Sequence, residues 1–465
     1  MPEERRNQQS LDFNPSTRPA LRGGPAEQKR RPGKKFLSQL NWWLKIGLTA
    51  QKKDLVFNNL FHHFNVENLR EAFNALDGKK ALGIDGISKI EYGKNLEKNL
   101  MGLTARLQTG SYKPQEKREV LIPKDNGKTR PIAISCFEDK LVEWVLGKIL
   151  ENIYEPLFIR NSFGFRPKLS AHHAIEATFL TLKDNKRPFV VEIDLATFFN
   201  TIPHGKLLEI VGKRVSDNRL KGLIGRFLKV GILEQSGLIT TPESGTPQGS
   251  VMSPILANIY LNEVLDQWFL ENYASYNNII VRYADDAVFM FKSESMANQF
   301  LVDLEQRLAA YGLSLNKDKT SIIDFNKNEN NIFHFLGFTF YWGKQKSKRK
   351  RPLRIKTQKE KLHKKIQEFD SWIKEERSHF RLKKIWDLAK AKLNGHYNYY
   401  GFWLNRAKLN HFYVEATRSL FKWLNRRSQK RSFDWEGFER KLKFDPLPLP
   451  PAVDKLRQLG WNPYV

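Results

Sequence analysis

The sequence predicts an α+β fold joined to a helical, strongly basic C-terminal region. Three observations predict it. Short apolar runs that read as strands are interleaved with stretches of helical periodicity. The composition changes near residue 344: between Lys344 and Lys443 there are 30 Lys and Arg against 10 Asp and Glu, a surplus of 20. The chain is 40% hydrophobic and 12% aromatic, enough to bury a substantial core. Its 465 residues suggest about three domains.

The elements follow in order. Residues 1–36 are rich in Arg, Pro, Gln and Gly and poor in apolar groups, which predicts a flexible basic arm. Between 38 and 80, Val66, Leu69, Phe73 and Leu76 recur at helical spacing behind Asn65, a plausible cap. Gly83-Ile84-Asp85-Gly86 breaks the chain into a loop. Residues 119–134 read as strand, turn, strand, with Asp125-Asn126-Gly127 at the tip. A helix is expected over 137–156 and an apolar strand, ending on a carboxylate, over 188–194. Ser253 and Pro254 open a helix, the serine as cap, running to about Leu270. Residues 278–291 form two strands around an acidic tip, and a helix follows from about 294 to Gly312. Residues 334–342 give another strand pair. Residues 344–356 form a basic linker, 357–426 are helical with interleaved Trp, Tyr and Phe, and the chain is extended from 446. No internal repeat is visible.

The net charge of +28 points to a polyanionic partner, because such a surplus repels itself in the compact state. Nucleic acid and an anionic membrane are the two candidates. There is no apolar run of about 18 residues, so no bilayer span is expected. The only cysteine, Cys136, rules out an intrachain disulfide and a cysteine-based zinc site. The N-terminus lacks the apolar stretch of a secretory signal.

Candidate chemistry centres on three carboxylates. Asp194 ends an apolar strand; Asp285 and Asp286 occupy a hairpin tip. Side chains alternate along strands, so these positions can present acids together at one sheet edge. Aspartate is also common in turns for conformational reasons alone. Here, however, two adjacent acids sit between strongly apolar strands and repel each other, an arrangement suited to a cation. Polynucleotide synthesis uses such clusters to hold two Mg²⁺ about 3.5–4 Å apart.

At these residues the sequence resembles a known family. Tyr283-Ala284-Asp285-Asp286 is similar to the catalytic box of reverse transcriptases, and Asp194 in EIDLATFFN to the first metal-binding aspartate of their palm. The residue five positions later, Phe199, occupies the place that blocks a ribose 2′-hydroxyl. Gln248, in GTPQGS, resembles the glutamine near the templating pair. Lys124 and Arg130 match the fingers hairpin that grips the triphosphate, a role suited to an arginine's bidentate donors. Lys319 matches a lysine thought to protonate leaving pyrophosphate, and Phe335-Leu336-Gly337 the primer grip. Ser162-Phe163-Gly164-Phe165-Arg166-Pro167, with Ser170 and His172, resembles a box of bacterial group II intron proteins; His172 could equally be a core or capping histidine. The C-terminal stretches 395–403 and 424–438 resemble the thumb and maturase (X) domain of that family.

The resemblance, over about residues 60–445, implies a right-hand polymerase. Its expected parts are an extension and fingers at 37–187, a palm at 188–343, a thumb and maturase domain at 344–445, and a short tail at 446–465. It implies RNA-directed DNA synthesis from dNTPs, on an RNA template with a DNA primer. Asp194, Asp285 and Asp286 would hold two Mg²⁺, with Mn²⁺ as a substitute. Arg166, Arg426, Arg427, Lys430 and Arg431 would contact RNA. It also implies binding of the host group II intron RNA to assist splicing and retromobility, a cytoplasmic, nucleoid-associated location and no membrane, and it allows a homodimer. No HNH nuclease or RNase H segment is expected. The alternatives are a domesticated reverse transcriptase of DNA repair or phage defence, and a splicing chaperone without polymerisation. An RNA-dependent RNA polymerase is disfavoured by Phe199.

Overall fold

The nearly continuous apolar runs in PFVVEI and NIIVRYADDAVFMF build the central sheet, apolar on both faces. In the computed structural model, which describes residues 41–123, 127, 129–326, 331–344, 351–427 and 433–451, eleven strands are assigned. They are β1 (Lys117–Pro123), β2 (Thr129–Ile134), β3 (Phe189–Ile193), β4 (Ile232–Leu233), β5 (Ile239–Thr240), β6 (Ile279–Tyr283), β7 (Asp286–Phe291), β8 (Ser321–Asp324), β9 (Phe333–Phe335), β10 (Phe338–Trp342) and β11 (Leu353–Thr357). The central sheet has the order β6-β7-β3-β8 and is antiparallel throughout. A second sheet runs β2-β1-β4-β5, with β1 and β4 parallel, and a third runs β11-β10-β9. The basic arm 1–36, Lys124, Asp125, Asn126, Lys430, Arg431 and the tail from 452 lie outside the described residues.

Both faces of the central sheet are dry. On β7, Ala287, Phe289 and Phe291 enter one apolar core with the helix Glu294–Ala310, while Val288 and Met290 enter another. Phe289 and Phe300 stack with ring centres 4.5 Å apart. Burying such a ring stabilises by roughly 1.5–3 kcal/mol. The first core joins the sheet to the N-terminal helices, notably Phe137–Tyr154. The second joins it to the C-terminal helices Lys359–Glu376, Leu382–Tyr400 and Arg406–Leu424. With both faces filled, polar side chains emerge at the strand ends.

Local signals explain most of the elements. Asn65 caps the helix Val66–Ala75 by accepting from the Asn68 amide. Gly312, at φ +71°, ends the helix before it in the left-handed conformation that glycine tolerates. Two expectations are corrected. Ser253 is not a cap: its hydroxyl donates to the Pro247 carbonyl at 2.8 Å. The basic linker at 344–356 is partly β11, where Leu353 and Ile355 point inward and Arg354 faces out. Its period of two is short and masked by the surrounding charges. The helix after Pro254 also changes pitch, passing through a π-helical turn at Asn262–Gln267.

The loop at 83–86 packs against the start of the helix Phe137–Tyr154. A Cβ on Gly83 would meet the Cys136 sulfur at 2.9 Å. Arg118 and Lys140 hold the loop's approach by donating to the carbonyls of Leu82 and Ala81, at 2.7 and 2.8 Å. No helix among the described residues is long and apolar enough to cross a membrane.

Candidate active site

Strand register brings the acids together. β3 pairs with β7 so that Ile193 faces Ala287; continuing that register by one residue puts Asp194 across from Asp286. Tyr283 and Asp286 close a two-residue turn with Asp285 at its tip. Ala284 in that turn has φ +58°, a left-handed conformation costly for a residue with a Cβ. Asp194 is held from the other side. Its carbonyl accepts from the Asn316 amide at 2.7 Å, and its carboxylate from Asn316 Nδ2 at 3.0 Å and Lys319 Nζ at 3.2 Å.

The electrostatics are those of crowded negative charge. Burial, then the charges of Asp285 and Asp194, push the Asp286 carboxyl up to about 6, against the pull of Lys319. Burial and Asp194 also raise Asp285, opposed by Arg130 and Arg282. The buried carboxylates repel one another despite Lys319, and their hard oxygen donors suit a divalent cation. Among the described residues no three carboxylate, imidazole or thiolate groups stand close enough to hold a metal ion by themselves. Mg²⁺ is compatible with such an open set, since it typically takes one or two carboxylates and completes its octahedron with water and substrate phosphates.

Two cavities meet these acids, and the smaller, about 460 Å³, is lined by Asp194, Asp286 and Lys319. The larger, about 1090 Å³, runs from Asp285 and Asp286 past Leu336 to Lys361, Lys365 and Lys392 on the C-terminal helices. Leu336 and Gly337 form the β9–β10 turn with φ of +50° and +77°, which suits the twist of a tight hairpin. Tyr399 Oη donates to the Leu336 carbonyl at 3.2 Å, and the Gln358 amide to that of Gly337 at 3.0 Å. His172 bonds the Tyr399 carbonyl at 2.7 Å through its ring Nε2, so it ties that helix down and is not the cap of its own. His173 fills that role with Ser170.

A third cavity, about 310 Å³ and lined by none of the three acids, has Phe199, Gln248, Pro131 and Ala133 in its wall. Gly245, at φ +89°, lets the loop approach so closely that a Cβ there would lie 2.7 Å from the Phe199 carbonyl. The Thr246 amide donates to that carbonyl at 2.6 Å. The Ala133 amide donates to the Gln248 carbonyl at 2.7 Å, stitching this loop to β2. Arg130, exposed on β2, is near enough for its charge to reach Asp285.

Three sequence expectations fare differently. Arg166 was expected on RNA, but its donors turn inward: it forks onto Glu155 at 2.7 Å and reaches the carbonyls of Ile159 and Ser162 at 2.7 and 2.5 Å. With that side chain only 9% exposed, it ties the loop together instead. Arg426 is exposed over the buried Trp423 ring, which Lys374, Arg377 and Lys422 also flank. Arg427 donates to the Phe380 carbonyl at 2.6 Å. Neither Arg426 nor Arg427 lines the cavities at the acids.

Sequence reading missed two buried ion pairs. Lys117 and Glu143 meet at 3.1 Å, and Arg282 and Asp266 at 2.5 Å. It also missed Asn316 and the lysines of the larger cavity. The strict period of the strand between Ile279 and Tyr283 assigns Arg282 to an interior face, the one signal that could have drawn attention to it.

A family model described as "Reverse transcriptase (RNA-dependent DNA polymerase)" matches residues 122–340, which include all three acids. Protein YkfC of Escherichia coli is 35% identical over 297 residues, covering 56% of this chain and 76% of YkfC. The group II intron-encoded protein LtrA of Lactococcus lactis is 37% identical over 235 residues, covering 49% of this chain and 38% of LtrA. Among solved structures, apo telomerase from Candida tropicalis aligns over 71% of this chain and 60% of its own, with a TM-score of 0.44 and 15% identity.

Acids at adjoining strand ends of an antiparallel sheet, beside a helical basic wall, define a template-directed polymerase of the right-hand class. The chain belongs to the reverse transcriptase family. Its enzymatic class is RNA-directed DNA polymerase, which works with divalent cations on an RNA template.

Proposed function

We propose that this polymerase copies RNA into DNA from dNTPs using Mg²⁺, and that it binds a group II intron RNA and assists its splicing and mobility. The observation that carries the first part is Asp194, Asp285 and Asp286 at adjoining strand ends; Phe199 lines a separate cavity with Gln248. Asp194 and Asp285, assisted by Asp286, would hold two Mg²⁺, which supply Lewis acidity at the primer 3′-hydroxyl and neutralise the leaving oxygens. The chain's own residues do the remaining work. The Phe199 ring offers no acceptor to a ribose 2′-hydroxyl and fills its space. Arg130, with Lys124, holds the triphosphate. Lys319 gives a proton to the leaving pyrophosphate. Leu336 and its turn support the primer end, and Lys361, Lys365 and Lys392 neutralise the backbone of the duplex.

The intron role is supported by the likeness to LtrA and by the cations clustered around Trp423. The decisive experiment is primer extension on an RNA template with dNTPs or NTPs, comparing wild type with Asp285→Ala, alongside RNA binding by each. DNA product from wild type alone supports the assignment. Equal product from the variant refutes it, and tight RNA binding without product from either favours a splicing chaperone.

A further inference from the structure

The side chain of Arg282 is fully buried, as is that of its partner Asp266. Taking a charged pair out of water costs several kcal/mol per ion in general, and an apolar pair of the same size often serves stability as well. Stability alone is a weak reason for this pair. Its connections suggest another. Arg282 Nε and Nη2 fork onto the two Asp266 oxygens at 2.7 and 2.5 Å. Its Nη1 donates to Asn258 Oδ1 at 3.0 Å and to the Ala284 carbonyl at 2.9 Å. Asn258 in turn donates from Nδ2 to the Gly164 carbonyl at 2.7 Å. Gly164 lies directly on the turn: a Cβ there would overlap the Ala284 nitrogen and sit 2.9 Å from its Cα. The backbone closes the frame, since the Arg282 amide donates to the Asn161 carbonyl at 2.9 Å and the Phe163 amide to the Arg282 carbonyl at 2.8 Å.

One bond of this network ends on Ala284, the residue in left-handed conformation next to Asp285, and Gly164, which the network also holds, packs against it. Strained backbone of this kind persists only where its surroundings over-determine it. Asp266 lies in the π-helical turn Asn262–Gln267, and Asn258, a little over two turns earlier, reaches the same guanidinium. A methionine or leucine in place of Arg282 could fill the space but could not donate to the Ala284 carbonyl.

We propose that Arg282, held by Asp266 and Asn258, is a positioning residue for polymerisation: it fixes the Ala284 turn and so aims the Asp285 carboxylate. It does not touch substrate. The inference rests on Asp285 serving the reaction, so Asp285→Ala is carried in every assay.

The test variant is Asn258→Ala, which cuts the links from Arg282 to Gly164 and leaves the buried ion pair intact. Asn258→Asp, of the same shape but unable to donate to Gly164, gives the test a second variant should the alanine form fail to fold. Misplacing a reacting group by about 1 Å costs on the order of 100-fold. The expected result is therefore a fall in kcat of roughly 10–100-fold, with the KM for dNTP and the melting temperature near wild type. Electron paramagnetic titration with Mn²⁺ alone, without nucleic acid, should show weaker binding in the same variant. Unchanged kcat and Mn²⁺ affinity overturn the proposal. So does a rise in KM with kcat intact, which would place Asn258 in nucleotide binding. Full activity in Asp285→Ala would instead overturn the site assignment beneath it.

Discussion

Removing the positive partner from the buried Lys117–Glu143 pair should destabilise the N-terminal core and loosen the loop that carries Gln248. Both side chains are essentially unexposed, at 1% and 0%. Glu143 Oε1 accepts from Lys117 at 3.1 Å and from the Ser135 hydroxyl at 2.9 Å, and its Oε2 accepts from the Val251 amide at 2.8 Å. One carboxylate thus joins β1, the residue that follows β2 and the strip of loop just past Gln248. Lys117→Met leaves that carboxylate in an apolar setting with two neutral donors, a change that costs about 3–5 kcal/mol. For a unit of 150–250 residues each kcal/mol is worth about 2–4 °C, so the melting temperature should fall by roughly 6–20 °C. Glu143→Gln strands the lysine and should cost a similar amount. The double variant removes both charges and leaves the glutamine oxygen to accept from Val251, so it should recover most of the loss. Calorimetry on the four proteins gives the coupling directly; with singles of about 3–5 kcal/mol each and most of one loss recovered, it should exceed about 3 kcal/mol, the upper end for residues in contact. The KM for dNTP should rise in the single variants and return towards wild type in the double. Losses that add to within about 0.5 kcal/mol would refute the pairing argument, and an unchanged KM in every variant would refute its link to the loop.

Phe199→Val should open the space beside the sugar. The ratio of kcat/KM for dCTP over CTP on one template is expected to fall by roughly 10–200-fold, the range of one size step in an apolar pocket; an unchanged ratio removes Phe199 from sugar selection. Burial pushes the Asp139 carboxyl up to about 7, partly offset by donation from Tyr112 and the Gln115 amide. The native state keeps a proton that the unfolded chain gives up above the ordinary carboxylate pKa of 3.8. Its contribution is therefore present at low pH and lost as pH rises from about 4 to 7. Asp139→Asn removes that slope, so the variant should gain on wild type between pH 5 and pH 8 in melting temperature. His63 and His396, lowered to about 4 by burial, act in the opposite sense but equally in both proteins. A constant gap across pH would show that Asp139 is charged in the fold.

What the sequence disclosed and what it hid separate along physical lines. The acid hairpin was legible because the strands beside it alternate over both faces and its tip is short. Asn65 and Gly312 were legible because caps act within one turn of their own position. Lys117 and Glu143 lie 26 residues apart, and Arg282 and Asp266 lie 16 apart; no local period connects them, and their charges read as solvated surface. Arg166 misled because basic residues near a nucleic-acid motif suggest phosphate, whereas Glu155, eleven residues earlier, captures its donors. Ser253 misled for a similar reason: a nearby carbonyl outcompeted the helix end it preceded. In each miss a tertiary partner overrode a local rule.

The seating of Gly83 on Cys136 gives the molecule a built-in reporter. Cys136 is the chain's single thiol, it is buried, and burial pushes its pKa up to about 11. A thiol reagent should therefore label it slowly in the folded protein, and faster if the loop at 83–86, which sits on it, moves away. Labelling kinetics on the unaltered protein would clock that lifting event, and a change in the rate on adding RNA, primer or nucleotide would tell which of them closes the loop, without introducing a single foreign residue.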